Sequence, residues 1–201
     1  MADDREKNNQ LVKAKTSSLQ KRASNIVSRG LSDLALLDVE KAKIADKERL
    51  LQAKEWFNKG IKYGEHVRTF DKAMEAYTKA IELDPNFTEA YRKRGWSYYA
   101  IDEYDEALED YTKAIALDPN YAADHKNRGQ TYDGQAQYDM AIEDYTKAIE
   151  LDPNDDEAYF WRGRAYERLG NKSMAISDYR KACDLGDEDG CENLQRVLRQ
   201  R

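Results

Sequence analysis

The stretch Tyr77-Thr78-Lys79-Ala80-Ile81-Glu82-Leu83-Asp84-Pro85-Asn86 decides the fold, because the chain writes it three times. It returns as Tyr111-Thr112-Lys113-Ala114-Ile115-Ala116-Leu117-Asp118-Pro119-Asn120 and as Tyr145-Thr146-Lys147-Ala148-Ile149-Glu150-Leu151-Asp152-Pro153-Asn154. A fourth copy, Tyr179-Arg180-Lys181-Ala182-Cys183-Asp184-Leu185, keeps the spacing and loses the proline. The period is 34 residues, and the three prolines of the chain all fall on it. A fixed period of this length signals stacked supersecondary units.

Working outward, Gly95, Gly129 and Gly163 share the period, as do Tyr98, Tyr132 and Tyr166, and then Ala107, Ala141 and Ala175. Each unit reads as two helices, in the second copy about Thr88 to Ala100 and about Asp105 to Leu117. Apolar and small residues recur at steps of three and four, as in Ala107, Tyr111, Ala114 and Ile115, which is the helical period. Asp-Pro-Asn closes each second helix, since the residue before proline is pushed out of the α region. One such pair cannot bury its apolar face alone, and stacking neighbours builds the core.

These residues resemble the tetratricopeptide-repeat (TPR) family, whose units carry a first-helix aromatic, Gly and Tyr, a second-helix Ala, aromatic and Ala, and a closing Pro. The second copy supplies Tyr91, Gly95, Tyr98, Ala107, Tyr111, Ala114 and Pro119. The third supplies His125, Gly129, Tyr132, Ala141, Tyr145, Ala148 and Pro153, and the fourth Tyr159, Gly163, Tyr166, Ala175, Tyr179 and Ala182. The first supplies Trp56, Gly60, Tyr63, Ala73, Tyr77, Ala80 and Pro85, with one extra residue within 64–69. The resemblance implies an all-α superhelical solenoid of antiparallel helix pairs. Repeats are expected over 53–87, 88–121, 122–155 and 156–187. Residues 188–201 are expected as a capping helix, with Cys191, Leu194, Val197 and Leu198 as its apolar stripe. Residues 1–52 are expected as a basic, partly helical extension whose first dozen residues are disordered.

Charge separates these parts. The chain has a net charge of −6; residues 1–52 carry +3, and by difference residues 53–201 carry −9. An acidic repeat array argues against general nucleic-acid binding, which requires a basic face for phosphates. No apolar run is long enough to span a membrane. The polar start Met1-Ala2-Asp3-Asp4-Arg5 lacks the apolar segment of an export signal, so a cytoplasmic location is expected.

Nothing points to an enzyme. His66 and His125 lack neighbours at metal-ligand spacing, and His125 fills a first-helix aromatic slot, where packing is its expected role. Phosphate loops, nucleophile elbows and His-Glu-x-x-His helices are absent. Neither a metal nor a cofactor is expected.

The resemblance also implies that first helices line a concave, peptide-receiving surface. The candidate groove residues are Arg92, Lys93, Trp96 and Tyr99, then Lys126, Asn127 and Gln130, then Phe160, Trp161 and Arg164. Asp133, Glu167 and Arg168 occupy further slots on it, and the first copy offers Phe57, Asn58, Ile61 and Glu65. Tryptophan and arginine dominate binding hot spots, and the cations suit acidic groups. The expected partner is therefore a protein segment, peptide or helix, with acidic and apolar groups. A competing expectation is that the N-terminal extension covers these residues. Some TPR proteins clamp chaperone tails ending Glu-Glu-Val-Asp. Of that clamp only Arg92 and Asn127 match here, which disfavours such an adaptor. The alternative function is self-assembly, a homo-oligomer in which the basic extension of one chain docks on the acidic array of the next.

Cys183 and Cys191 stand in a turn that resembles the disulfide-bonded hairpin of bacterial cysteine-rich helical repeats. Either they staple the cap or they are a reduced, packed pair. The reduced pair is the favoured expectation, because no export signal is seen.

Overall fold

The computed structural model describes residues 16–18, 31–65 and 69–199. The expected disorder of the first dozen residues, and His66, lie outside the described residues. Two compact units divide at Gln52 and Ala53. In the first unit, the described part of helix α1 (Leu31–Tyr63) buries Leu37 and exposes Leu36, Val39 and Leu50. Ile44 is half-buried.

The second unit is a row of helix pairs. The end of α1 is followed by α2 (Phe70–Leu83), and α3 (Thr88–Tyr99) by α4 (Tyr104–Leu117). Next come α5 (Ala122–Gly134) with α6 (Tyr138–Leu151) and α7 (Asp156–Arg168) with α8 (Lys172–Leu185), then α9 (Glu188–Arg199). The first helix of the first repeat is thus the last part of a 33-residue helix and has no start of its own. No glycine or proline stands between Leu31 and Lys59 to break it.

Each second helix stops where the sequence requires. Asp84, Asp118 and Asp152 are non-helical C-caps preceding the prolines. In two of these turns the Asp carboxylate accepts the backbone N–H of the following Asn, Asp84 from Asn86 and Asp152 from Asn154, both at 3.1 Å. The first helices α3, α5 and α7 are each followed by a left-handed residue, Asp102, Ala136 and Gly170, at φ of 63°, 58° and 76°. The next N–H reaches back to Tyr98, Tyr132 or Tyr166 at 2.8–3.0 Å, closing the orphan carbonyls of the helix end.

The repeat glycines mark the closest approach. A Cβ on Gly129 would stand 2.8 Å from the Tyr145 ring, and one on Gly163 3.0 Å from Tyr179. Gly60 meets Tyr77 in the same manner. Gly60 and Tyr77 are 17 residues apart, where the other repeats use 16, so the extra residue falls between the two helices of the first repeat. Tyr111, Tyr145 and Tyr179 are among the most deeply buried side chains.

A ladder of buried ion pairs holds the rows together. Arg94 donates to both oxygens of Asp110 (2.8 and 2.7 Å) and to Thr78 Oγ1 (2.8 Å). Arg128 repeats this with Asp144 (2.7 and 2.8 Å) and Thr112 (3.2 Å). Arg162 repeats it with Asp178 (2.8 and 2.9 Å) and Thr146 (3.1 Å). Each arginine joins its own second helix, through Asp, to the preceding one, through Thr. Burial pushes the Asp110 carboxyl up against the pull of Arg94. Burial also opposes the Arg94 charge, but the bonds to Asp110 hold its pKa above the ordinary value. His125 is buried as expected, with Nδ1 3.3 Å from Asp144 and Nε2 3.3 Å from the Pro119 carbonyl.

At the far end, α9 packs Val197 and Leu194 on Ala175 and Tyr179. Gly186, at φ 111°, turns the chain from α8, and the Asp187 N–H bonds the Ala182 carbonyl at 3.0 Å. Cys183 and Cys191 are joined in a disulfide, with Cα atoms 4.6 Å apart. The reduced pair favoured from the sequence is corrected here: the tight Gly186 turn lays α9 back on α8 and brings the two side chains together. Gly190 allows that approach, since a Cβ there would stand 2.8 Å from the Ala182 Cβ.

Candidate peptide-binding face

The first helices stand side by side, and side chains cross between them. Arg92 on α3 reaches α5, donating from Nε to Asp124 (2.7 and 2.9 Å) and from Nη2 to Asp118 (2.7 Å). Its guanidinium lies 3.9 Å from the Tyr121 ring centre. Lys126 on α5 likewise reaches α7, to Asp155 at 2.9 Å and Glu157 at 2.8 Å. Burial works against both charges. The bonds that Arg92 donates to Asp124 and Asp118, and Lys126 to Glu157 and Asp155, outweigh it and hold both pKa values up.

Arg92 and Lys126 occupy first helices, as the sequence implies, yet they do not face an incoming partner as open charges. They are spent on pinning one repeat to the next. An acidic residue at the start of the following first helix is what captures each of them.

Lys93 differs. It is exposed, and no partner contacts its ammonium among the described residues. With Ile61, Gly64, Tyr77 and Trp96 it lines an open cavity of 310 Å³. Trp96 is 46% exposed and Ile61 41% exposed. Trp96 and Phe70 meet edge to face, with 5.4 Å between ring centres, which holds the indole while leaving it 46% exposed. The first-copy candidate Phe57 instead packs inward, against Phe87 at 4.7 Å.

Tyr99 is half-buried, as are Asn127 and Gln130. Asn127 gives its backbone carbonyl to the Thr131 hydroxyl at 2.8 Å. Nearby, Asp133 Oδ1 and the Tyr145 hydroxyl are buried without a partner. Burial pushes the Asp133 carboxyl up, against the pull of Arg164 and Arg168, and burial pushes the Tyr145 hydroxyl up as well.

The fourth repeat separates its two aromatics. Trp161 packs against the cluster of Ala141, Tyr145 and Ala165, while Phe160 packs toward Tyr179 and the cap. Trp161 is half-buried rather than open, because its helix leans on the third repeat. Arg164 stacks over its ring at 4.5 Å. Beyond it, Phe160, Arg164, Glu167, Arg168 and Arg196 line a second cavity of 670 Å³. Arg196 binds both Glu167 oxygens at 2.7 Å, and the Tyr179 hydroxyl donates to Glu167 at 2.8 Å. The hydrogen bond from Arg196 chiefly holds the Glu167 carboxyl below its usual range.

Sequence reasoning missed the contribution of Arg196 to this face. The only signal was three arginines near the end of the chain, which the helix dipole already explains. Among the described residues, no group of three or more His, Cys, Asp or Glu is placed to hold a metal. No described helix is long and apolar enough to cross a membrane.

Comparison with known proteins agrees with this architecture. Profiles described as tetratricopeptide repeat, or TPR repeat, match residues 69–102 and 134–170, 88–121, 110–143, and 156–189. The chain belongs to the tetratricopeptide-repeat family, whose repeats are in general non-catalytic modules for binding proteins. A crystal structure of MamA is similar at 28% identity and a TM-score of 0.65, covering 78% of this chain and 91% of that one. The first TPR of Spaghetti (RPAP3), bound to the HSP90 peptide SRMEEVD, is 25% identical, with a TM-score of 0.54 over 56% of this chain and 91% of its own. The Arabidopsis OM64 TPR domain is 27% identical, with a TM-score of 0.55 over 57% of this chain and 96% of its own. No curated protein sequence matches the chain.

Proposed function

We propose that this protein is a non-enzymatic adaptor or assembly scaffold that holds a peptide or helix of a partner protein along its first helices. The observation carrying this reading is the exposed Trp96 beside Ile61 and the unpartnered Lys93, around an open cavity. A large aromatic anchored by one neighbour and still 46% exposed is costly in water and useful at an interface. The Spaghetti domain, which is bound to a peptide in its structure, supports a peptide as the partner's form. Its chaperone-tail peptide is not adopted for this chain, whose residues at the clamp positions differ.

Affinity capture tests the proposal. Wild type and Trp96→Ala are used as bait, and captured proteins are identified by mass spectrometry. A partner retained by wild type and depleted roughly tenfold with Trp96→Ala supports it, as expected for a hot-spot aromatic. Identical captures would remove the face from the function.

The charge contrast between residues 1–52 and 53–201 favours self-assembly as a second reading. Light scattering tests that reading: a mass that does not rise with concentration sinks it. The cytoplasm is proposed from the sequence alone, and the Cys183–Cys191 disulfide of the structure weighs against it, since such bonds persist in oxidising compartments. Alkylation of thiols in intact cells decides between them: alkylated cysteines support the cytoplasm, and a protected pair overturns it.

A further inference from the structure

We infer that the 670 Å³ cavity between α7 and α9 is a carboxylate-binding site that takes an acidic segment of the partner protein. The inference rests on the adaptor reading and assigns its acid-recognising end, which the sequence had spread over Arg92, Lys93 and Lys126.

The argument is a census of spent and unspent cations. Arg94, Arg128 and Arg162 are held by the ladder aspartates. Arg92 and Lys126 are held between repeats. Of the three guanidiniums in the cavity wall, Arg196 is occupied by Glu167. Arg164 only stacks on Trp161, and Arg168 is exposed. Among the described residues neither has a carboxylate within ion-pairing distance. With Glu167 neutralising Arg196, Asp189 is the one other carboxylate in the lining, and the buried Asp133 carboxyl, outside the lining, attracts Arg164 and Arg168 without an ion pair to either.

Guanidinium forks match carboxylate oxygens in pairs, and the Trp161 ring already orients one of them. Phe160 gives the cavity an apolar wall. The surrounding unit carries −9, so a long polyanion is repelled by the body as a whole. A short segment with two or three carboxylates and an apolar residue needs only the local charge.

The test uses the full chain and a fluorescein-labelled, C-terminally amidated probe peptide, Phe-Glu-Asp-Glu-Glu-Asp, read by anisotropy, with the equally labelled and amidated Phe-Gln-Asn-Gln-Gln-Asn as the control without side-chain carboxylates. The acidic probe should bind saturably, and more weakly as salt is raised. Arg164→Gln with Arg168→Gln should weaken it about tenfold or more with the helical circular dichroism retained at the assay temperature, and Arg164→Lys with Arg168→Lys should recover part of the loss. Lys147→Gln, on α6 and outside the lining of either cavity, should leave probe affinity unchanged. Failure of the acidic probe to bind, equal binding of the control without side-chain carboxylates, or an unaffected Gln double variant would overturn the inference. The adaptor reading would fail separately, through a captured partner that ignores Trp96→Ala.

Discussion

Replacing Arg128 with Leu should cost about 3 kcal/mol, because breaking a partly buried ion pair leaves an uncompensated charge behind. The side chains of Arg128 and Asp144 are 20% and 7% exposed. The two bonds to Asp144 are short and parallel, and a third ties Arg128 to Thr112 in the preceding repeat. Without the guanidinium, the Asp144 carboxylate keeps only His125, at 3.3 Å, as a side-chain partner. The figure lies at the lower end of the range for buried pairs, since a fifth of the arginine remains in contact with water. Asp144→Leu should cost a similar amount. The double variant should cost clearly less than the sum, by about 1–3 kcal/mol, as contacting residues do in a cycle. Urea unfolding followed by circular dichroism measures all three, with Lys147→Gln as the surface control. A loss for Arg128→Leu below about 1 kcal/mol, with additive behaviour, would show the ladder to be a solvated charge pattern.

Other substitutions probe the remaining joints. Gly129→Leu should lower the urea midpoint by an amount equivalent to about 1–3 kcal/mol, because its Cβ alone would stand 2.8 Å from Tyr145; a midpoint equal to wild type rejects the close approach. Ala136→Gly should stabilise by up to about 1 kcal/mol, since φ of 58° penalises a Cβ, and calorimetry showing a lower melting temperature would contradict this. Asp133→Asn should stabilise at neutral pH, because burial raises the native carboxyl pKa. With the folded value above the unfolded one, the native state binds more protons, so wild type gains stability as pH falls through that window and the difference should close. A gap in urea midpoint that widens on acidification would refute that sign. Dithiothreitol should lower stability by about 2 kcal/mol, from the loop entropy of a crosslink eight residues apart, and an unchanged melt would mean that no bridge exists in solution.

The helix hairpins were legible because their punctuation is chemical. Proline after Asp84, Asp118 and Asp152 stops a helix by sterics, and Gly against Tyr fixes where two helices touch. The continuity of α1 was less visible: the repeat period suggested an edge near Ala53, but no residue there breaks a helix. The ladder was overlooked for a different reason. Arg94, Arg128 and Arg162 recur every 34 residues, as strictly as the glycines beside them, yet a charged residue in a sequence ordinarily reads as solvent-facing. Its partners lie 16 residues away on either side, a distance that no helical period connects. The capture of Arg92 by Asp124 needed the spacing between repeats, which composition does not carry. The candidate residues do lie on the first helices, while which of their cations are unspent could be read only in three dimensions.

The ladder and the face share helices, and this has a consequence for recognition. Arg94, Arg128 and Arg162 are identical in three repeats because a bidentate fork tolerates no substitute. The slots flanking them vary freely: Arg92, Lys126 and Phe160 stand in one, and Lys93, Asn127 and Trp161 in the next. One turn further on, a third slot holds Trp96, Gln130 and Arg164. Along that third slot the surface changes from an exposed indole, through a neutral amide, to a free guanidinium. A scaffold held in register by the ladder can carry such a gradient without loss of packing. A segment lying across the first helices would then be read with a direction, its apolar end at Trp96 and Ile61 and its acidic end at Arg164 and Arg168. The reversed segment would bring its carboxylates to one cation, Lys93, with Glu65 beside it, and leave the two guanidiniums at the other end unpaired, so such a face would also favour one direction.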